Sequence, residues 1–425
     1  MKVLGLIVEY NPFHNGHAYH LEEAVKLSGA DYVVCVMSGN FIQRGEPAIV
    51  NKWARTQMAL EAGVDLVIEL PLVYAMGSAE YFAFGAVKLL DSLGVTDYLC
   101  FGSEHGSIEA LESIADILIN EPPAYQEILK AQMNTGISYP SAREKALTEY
   151  CKTMDLPAEI ENIIGSSNNI LGIEYLKALK KLSSRITPLT IQRVSNDYHT
   201  REITGSISSA TAIRNHIKNN DSSDFAFKQL KETLPTSIAN ILEKEFEAGR
   251  GPVFQDHFEA QIFVTLRKSP VSEIASLCYV AEGLENRLRK ASEQSGTLEA
   301  LIESVTTKRY PRTRVQRILF NALLGITTDE FNTFNSFGGP QYIRVLGFNH
   351  RASSLMSQIN KKASLPVIMK VADFKHSCNP LLKRMLEIES LATNIYVLAY
   401  KNPEFRKAGQ EFTQNIIRMK PSSSG

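Results

Sequence analysis

Val3-Leu4-Gly5-Leu6-Ile7-Val8, continuing through Glu9-Tyr10-Asn11-Pro12-Phe13 into His14-Asn15-Gly16-His17, decides how this chain folds. Its first six residues are nearly all apolar, the pattern of a central strand in a parallel sheet covered on both faces. After Gly16 the pattern changes: Leu21, Ala24 and Val25 recur at helical spacing. The two histidines therefore sit at a turn where a strand feeds a helix. Such a turn gathers free backbone N–H groups and the positive end of a helix, which is where phosphates bind. Gly16 removes the side chain that would hold a phosphate away from the backbone. A lone histidine at a strand end is ordinarily a packed residue, but two histidines flanking a glycine at this turn point to a nucleotide.

Working outward, apolar runs alternate with helical segments, as in βαβ units. Tyr32–Met37, Leu66–Leu70, Tyr98–Phe101 and Thr187–Val194 read as further strands, and Lys52–Glu61 and Ala79–Leu93 as helices. A largely helical stretch runs from Ser107 to about Lys152, and Ser166–Leu176 is a polar turn opening a helix. The α/β region is expected to close near residue 220, giving residues 1–220 as one domain and 221–425 as a mainly helical one. Ligands in such sheets lie beyond the carboxyl ends of the strands. Gly102 stands at one of those ends, either as a turn glycine or as a place where a side chain would crowd a nucleotide.

Composition narrows the classes. The 425 residues include 44% hydrophobic and 21% charged, with a net charge of −1, so any nucleic-acid surface must be a local patch. Five cysteines carry no metal-ligand spacing, and reduced thiols are expected. No signal peptide is evident, and no run of about 18 apolar residues is present to span a membrane. A cytoplasmic location without a membrane or an obligate protein partner is expected.

The His14–His17 turn resembles that of the HxGH nucleotidyltransferase superfamily, and Ile207-Ser208-Ser209-Ala210-Thr211-Ala212-Ile213-Arg214 resembles its second signature. The resemblance implies that His14 and His17 are catalytic, stabilising charge at the α-phosphate of ATP without forming a covalent bond. Ser208, Ser209 and Arg214 would meet the β- and γ-phosphates, although a helix cap with a nearby arginine is the ordinary reading of that segment alone. Longer stretches, Glu9–His17, Gly39–Ala48 and Asn168–Leu176, look like the bacterial tRNA(Met) cytidine acetate ligase family, from Lys2 to about Tyr400. That likeness implies a two-step reaction. Acetate attacks ATP to give acetyladenylate, and the acetyl group passes to the wobble cytidine of elongator tRNA(Met).

By the same likeness, ATP lies along Ile7, Val8, Glu9, Tyr10, Asn11, Pro12, Phe13, His14, Asn15, Gly16, His17, Ala18, Tyr19 and His20, with Gly102, Asn168, Arg193 and Val194. Asn168 is chosen over Asn169, with helix capping as its alternative role. Magnesium is expected with the triphosphate, and no protein metal site. The loop Gly39–Ala48 is a candidate cover for the anhydride; Met76–Ala79 is a candidate acetate pocket, although a turn and helix start is its ordinary reading.

For the tRNA, Lys308, Arg309, Arg312, Arg314 and Arg317 form a basic run without an acid. Val315, Ile318, Leu319, Ala322 and Leu323 mark a buried stripe, so Arg314 and Arg317 are expected to face outward for phosphate contacts. Arg344, Asn349, His350, Arg351, Lys361 and Lys362 are a second candidate cluster. Two other functions stay open: an adenylyltransferase acting on a small phosphorylated or nucleotide substrate, and an RNA-binding protein with a vestigial nucleotide site.

Overall fold

The computed structural model describes residues 1–153, 163–193, 208–220, 230–281, 283–374 and 376–420. Five parallel strands form its centre: β1 (Val3–Val8), β2 (Tyr32–Ser38), β5 (Leu66–Leu70), β6 (Tyr98–Ser103) and β7 (Thr187–Gln192), ordered β5-β2-β1-β6-β7. Chain order moves outward from β1 through β2 to β5, then returns to the other side of β1 with β6 and β7. The direction of winding therefore reverses between β1 and β6, and a crevice opens there beyond the strand ends. A two-stranded ribbon, β3 (Phe41–Ile42) with β4 (Glu46–Pro47), lies in the loop after β2.

The strands are apolar along their length because both faces are covered. Along β2, Val34 and Val36 enter one hydrophobic cluster while Val33, Cys35 and Met37 enter the other. The helix Lys52–Glu61 forms as expected, started by the Asn51 side chain, which accepts from Ala54 N at 2.9 Å.

The expectation that the α/β layer closes near residue 220 is corrected. Three strands from beyond that point complete the sheet: β8 (Ile343–Asn349) pairs antiparallel with β5, and β9 (Val367–Ile368) and β10 (Ile417–Met419) pair with β8. An uncovered β5 would present a row of unpaired backbone groups, and β8 satisfies them. Arg344, Asn349, His350 and Arg351 had disguised this strand as part of a basic surface. Arg344 is in fact buried, facing Glu69 at 3.2 Å and also Glu411. Arg351 donates to Asp31 O at 2.8 Å, close to the amino-terminal start of β2.

The remaining C-terminal chain is helical, as expected, and packs on the sheet through a hydrophobic cluster extending from Val3 to Tyr400. Beneath it lies a buried charge network. Lys52 Nζ stands 2.5 Å from Glu69 and also contacts Glu411, and all three side chains are sealed from solvent. Among the described residues no helix is long and apolar enough to cross a membrane.

Candidate active site at the carboxyl ends of the strands

His14 ends the extended segment after β1 and caps the helix Asn15–Ser28, with φ −141° and ψ 173°. Its Nδ1 accepts from Gly16 N at 3.1 Å, while His17 Nδ1 accepts from His14 N at 3.3 Å. This reciprocal cap fixes both tautomers. With each Nδ1 accepting, the ring proton of each neutral imidazole sits on Nε2. The rings stack with centroids 3.7 Å apart. Burial, then the nearby Arg193 and Arg214 guanidiniums, hold the His14 pKa down to about 3. Burial and His14 depress His17 as well. The site thus presents two neutral Nε2–H donors.

The backbone leading into this turn is held firmly. Tyr10 has φ +47°, a left-handed conformation that a non-glycine residue adopts at a cost of about 1–3 kcal/mol. Its ring packs edge-on against Phe13 at 4.7 Å and His17 at 5.0 Å, which keeps it there. Arg55, fully buried, donates to the carbonyls of Glu9 at 2.6 Å and Val50 at 3.2 Å, and also to that of Gly39. One guanidinium therefore ties together the segments that follow β1 and β2.

A second wall rises from β6 and β7. Arg193 follows β7 and donates from Nη1 to Asn168 Oδ1 at 3.3 Å. A Cβ at Gly102 would lie 3.2 Å from Arg193 Cγ and 3.8 Å from His20 Cδ2, which sets the glycine beside these two side chains. Burial, then Arg193, lowers the His20 pKa to about 4. Asn168 rather than Asn169 faces this cluster. Asn169 is buried and accepts from Glu104 N and His105 N at 2.9 and 3.2 Å, which makes it a brace for the turn. Glu104 is a further residue of this wall. Its carboxylate accepts from Asn168 Nδ2 at 2.6 Å and Asn169 N at 2.9 Å, orienting the pair. The acid after Gly102-Ser103 was its only visible signal.

The third element is the helix Ala210–Asn219. Ser209 Oγ accepts from Ala212 N at 3.1 Å, so this serine is a cap, and Ser208 beside it is buried. Arg214 donates from Nη1 to Asn11 O at 3.0 Å, which brings the second signature against the turn after β1. Val194 and Ile207 lie outside the described residues. Of the expected ATP residues, His14, His17, His20, Gly102, Asn168, Arg193 and Arg214 are brought together around one crevice. Asn15 instead donates to Glu232 O at 3.0 Å.

The basic run divides. Lys308 and Arg309 are exposed. Arg312, the first residue of the helix Arg312–Leu324, pairs with Glu299 through two 2.6 Å contacts. Arg314 and Arg317 do not face outward as expected. Arg314 donates twice to Tyr279 O, at 3.1 and 2.9 Å, and Arg317 Nη1 donates to Gln43 O at 3.3 Å. The loop Gly39–Ala48 packs over this face of the helix, Phe41 lying 5.4 Å from Phe320, and turns the face inward. That loop is anchored rather than open: Tyr396 Oη donates to Ala48 O at 2.7 Å and Asn40 Nδ2 to Thr393 at 3.0 Å.

Comparison with known proteins agrees with this geometry. The HIGH Nucleotidyl Transferase family matches residues 1–411. A tRNA(Met) cytidine acetate ligase of Acetivibrio thermocellus is 58% identical over 99% of this chain and 100% of its own. Another, of Caldanaerobacter subterraneus, is 47% identical over the same shares. The crystal structure of Thermotoga maritima TmcAL bound with alpha-thio ATP superposes with a TM-score of 0.92 at 36% identity, covering 99% of this chain and 100% of that one. The apo form of the same protein gives 0.94 over equal coverage. The chain belongs to the HIGH nucleotidyltransferases and, within them, to the tRNA(Met) cytidine acetate ligase family.

Proposed function

We propose that this member of the tRNA(Met) cytidine acetate ligase family activates acetate with ATP and acetylates the wobble cytidine of elongator tRNA(Met). In the first step a carboxylate oxygen of acetate bonds to the α-phosphorus, the bond to the β-phosphate oxygen breaks, and pyrophosphate leaves. Acetate is already ionised at neutral pH and needs no general base. It needs alignment and a stabilised transition state. The observation that carries the reading is the pair of neutral imidazoles whose Nδ1 atoms are both engaged, leaving two Nε2–H donors for the developing phosphate charge. Neutral donors have the further merit of holding no proton that an anionic phosphate would strip. Arg193, Asn168 and Gly102 are then the nucleoside side of the crevice, and Arg214 the triphosphate side.

In the second step the exocyclic amine of cytidine attacks the acetyl carbonyl, AMP departs, and the amine loses one proton, leaving N4-acetylcytidine. We assign the tRNA backbone to the helical region after residue 220, with Lys308, Arg309 and Arg312 at its entrance. Among the described residues no group of three or more His, Cys, Asp or Glu is gathered that could hold a metal. Magnesium accompanying ATP would take its ligands from phosphate and water. A cytoplasmic site of action follows from the tRNA substrate.

The test is incubation with ATP, labelled acetate and purified elongator tRNA(Met), followed by mass spectrometry of the nucleosides. Labelled N4-acetylcytidine supports the reading. Transfer of AMP to a small acceptor, with no acetylated nucleoside, overturns it in favour of an adenylyltransferase.

A further inference from the structure

We infer that Arg317, seated on Tyr279 beneath the loop Gly39–Ala48, binds the carboxylate of the acceptor acid and sets its line of attack; this rests on the ligase reading above. Arg317 is a half-buried residue whose Nε is sealed from solvent and has no hydrogen-bond partner. Among the described residues it has no carboxylate partner, and the charged group close to it is another cation, Arg314. A guanidinium in low dielectric beside a like charge is costly unless an anion completes it. Burial, and after it Arg314, correspondingly lowers its pKa.

The surroundings hold this cation in place. Its guanidinium lies 5.4 Å from the Tyr279 ring centroid. Tyr279 has φ +72°, accepts both Arg314 donors on its carbonyl, and accepts from Ser78 N on its hydroxyl at 3.0 Å. Gly45 packs directly on the Arg317 backbone, where a Cβ would come within 2.4 Å of Arg317 N.

Position selects the ligand. Gln43 joins Arg317 to the active site: its carbonyl takes Arg317 Nη1, and its N–H donates to Glu9 at 2.8 Å, at the end of β1. Its side chain donates to Gly77 O at 3.3 Å, so the two segments expected to cover and shape an acetate pocket meet here. A buried Nε is closed to a polymer backbone, which needs an open surface. Holding one carboxylate oxygen would leave the other free to attack phosphorus.

The experiment measures acetate-dependent exchange of labelled pyrophosphate into ATP for Arg317→Gln and Arg317→Lys. The Gln variant should raise the KM for acetate about ten- to hundred-fold, the range of a charged hydrogen bond, and the Lys variant should recover part of that. ATP KM and tRNA Kd should stay within about twofold. An unchanged acetate KM with weakened tRNA binding overturns the inference, as does a rise confined to ATP. Wild-type exchange that ignores acetate would instead sink the ligase reading. Crystals of the wild-type protein with acetate decide the seat independently of that and of variant folding: a carboxylate on Arg317 Nε supports it, and acetate bound elsewhere overturns it.

Discussion

His14 performs two tasks that substitution can separate. Its Nδ1 caps the helix Asn15–Ser28, and its Nε2–H is the donor assigned to the α-phosphate. His14→Ala removes both. His14→Asn keeps a side-chain acceptor at the cap while removing the Nε2 donor. Both lose the ring stacked on His17, so their difference in stability isolates the cap, about 1 kcal/mol in favour of Asn. Activity should not follow that difference. Each variant loses one preorganised donor, and both should fall about 10²–10³-fold in acetate-dependent pyrophosphate exchange. Urea titration gives the first quantity and isotope exchange the second. The reasoning fails if His14→Asn retains exchange within about threefold of wild type, because a donor to the transition state would then be absent. It also fails if the two variants differ in exchange as much as in stability.

The histidines further predict a pH dependence. His14 and His20 titrate near 3 and 4 in the native protein but near 6.5 when unfolded. Between pH 6.5 and 4 the unfolded chain therefore binds protons that the native chain does not, and each group costs about 1.4 kcal/mol of stability per pH unit as pH falls. Urea midpoints across this range should drop less steeply for His14→Asn; parallel slopes would contradict the burial argument. Lys52→Met leaves Glu69 and Glu411 sharing Arg344 as their one remaining buried cation and should cost about 3–5 kcal/mol, visible as a much lower urea midpoint; a change under about 1 kcal/mol would show that Arg344 or protonation of one carboxyl suffices. Lys308→Ala with Arg309→Ala should weaken tRNA binding and lower its salt slope by about 1.5, leaving exchange intact. An unchanged slope removes both from the interface.

The strand–turn–helix at His14 and the helix Lys52–Glu61 were legible because each depends on local pattern. Apolar runs of the right length, a cap and a glycine are visible without a partner. The β8 strand was not, since Arg344 reads as a surface charge until Glu69 and Glu411 come to meet it from distant parts of the chain. Arg314 and Arg317 failed for the complementary reason. Helical periodicity gave Val315, Ile318, Leu319 and Ala322 as buried, with Leu323 only half-buried, but it cannot reveal that a loop from residues 39–48 covers a second face. Glu104 and Tyr279 carry roles fixed by what they touch, and composition around them offers no hint.

The placement of β8 and β10 in the sheet also bears on how the protein is made. Nucleotide-site residues are all translated by Arg214, yet β5 gains its outer neighbour only with β8, and Glu411 reaches Lys52 only later still. At about 5–20 residues per second, the first 220 residues wait roughly 10–40 s for those partners. Until β8 emerges, β5 is an exposed apolar edge, open to chaperones and to pairing with a neighbouring nascent chain. A ribosome that stalls before β10 releases a product with a complete signature sequence and an incomplete sheet.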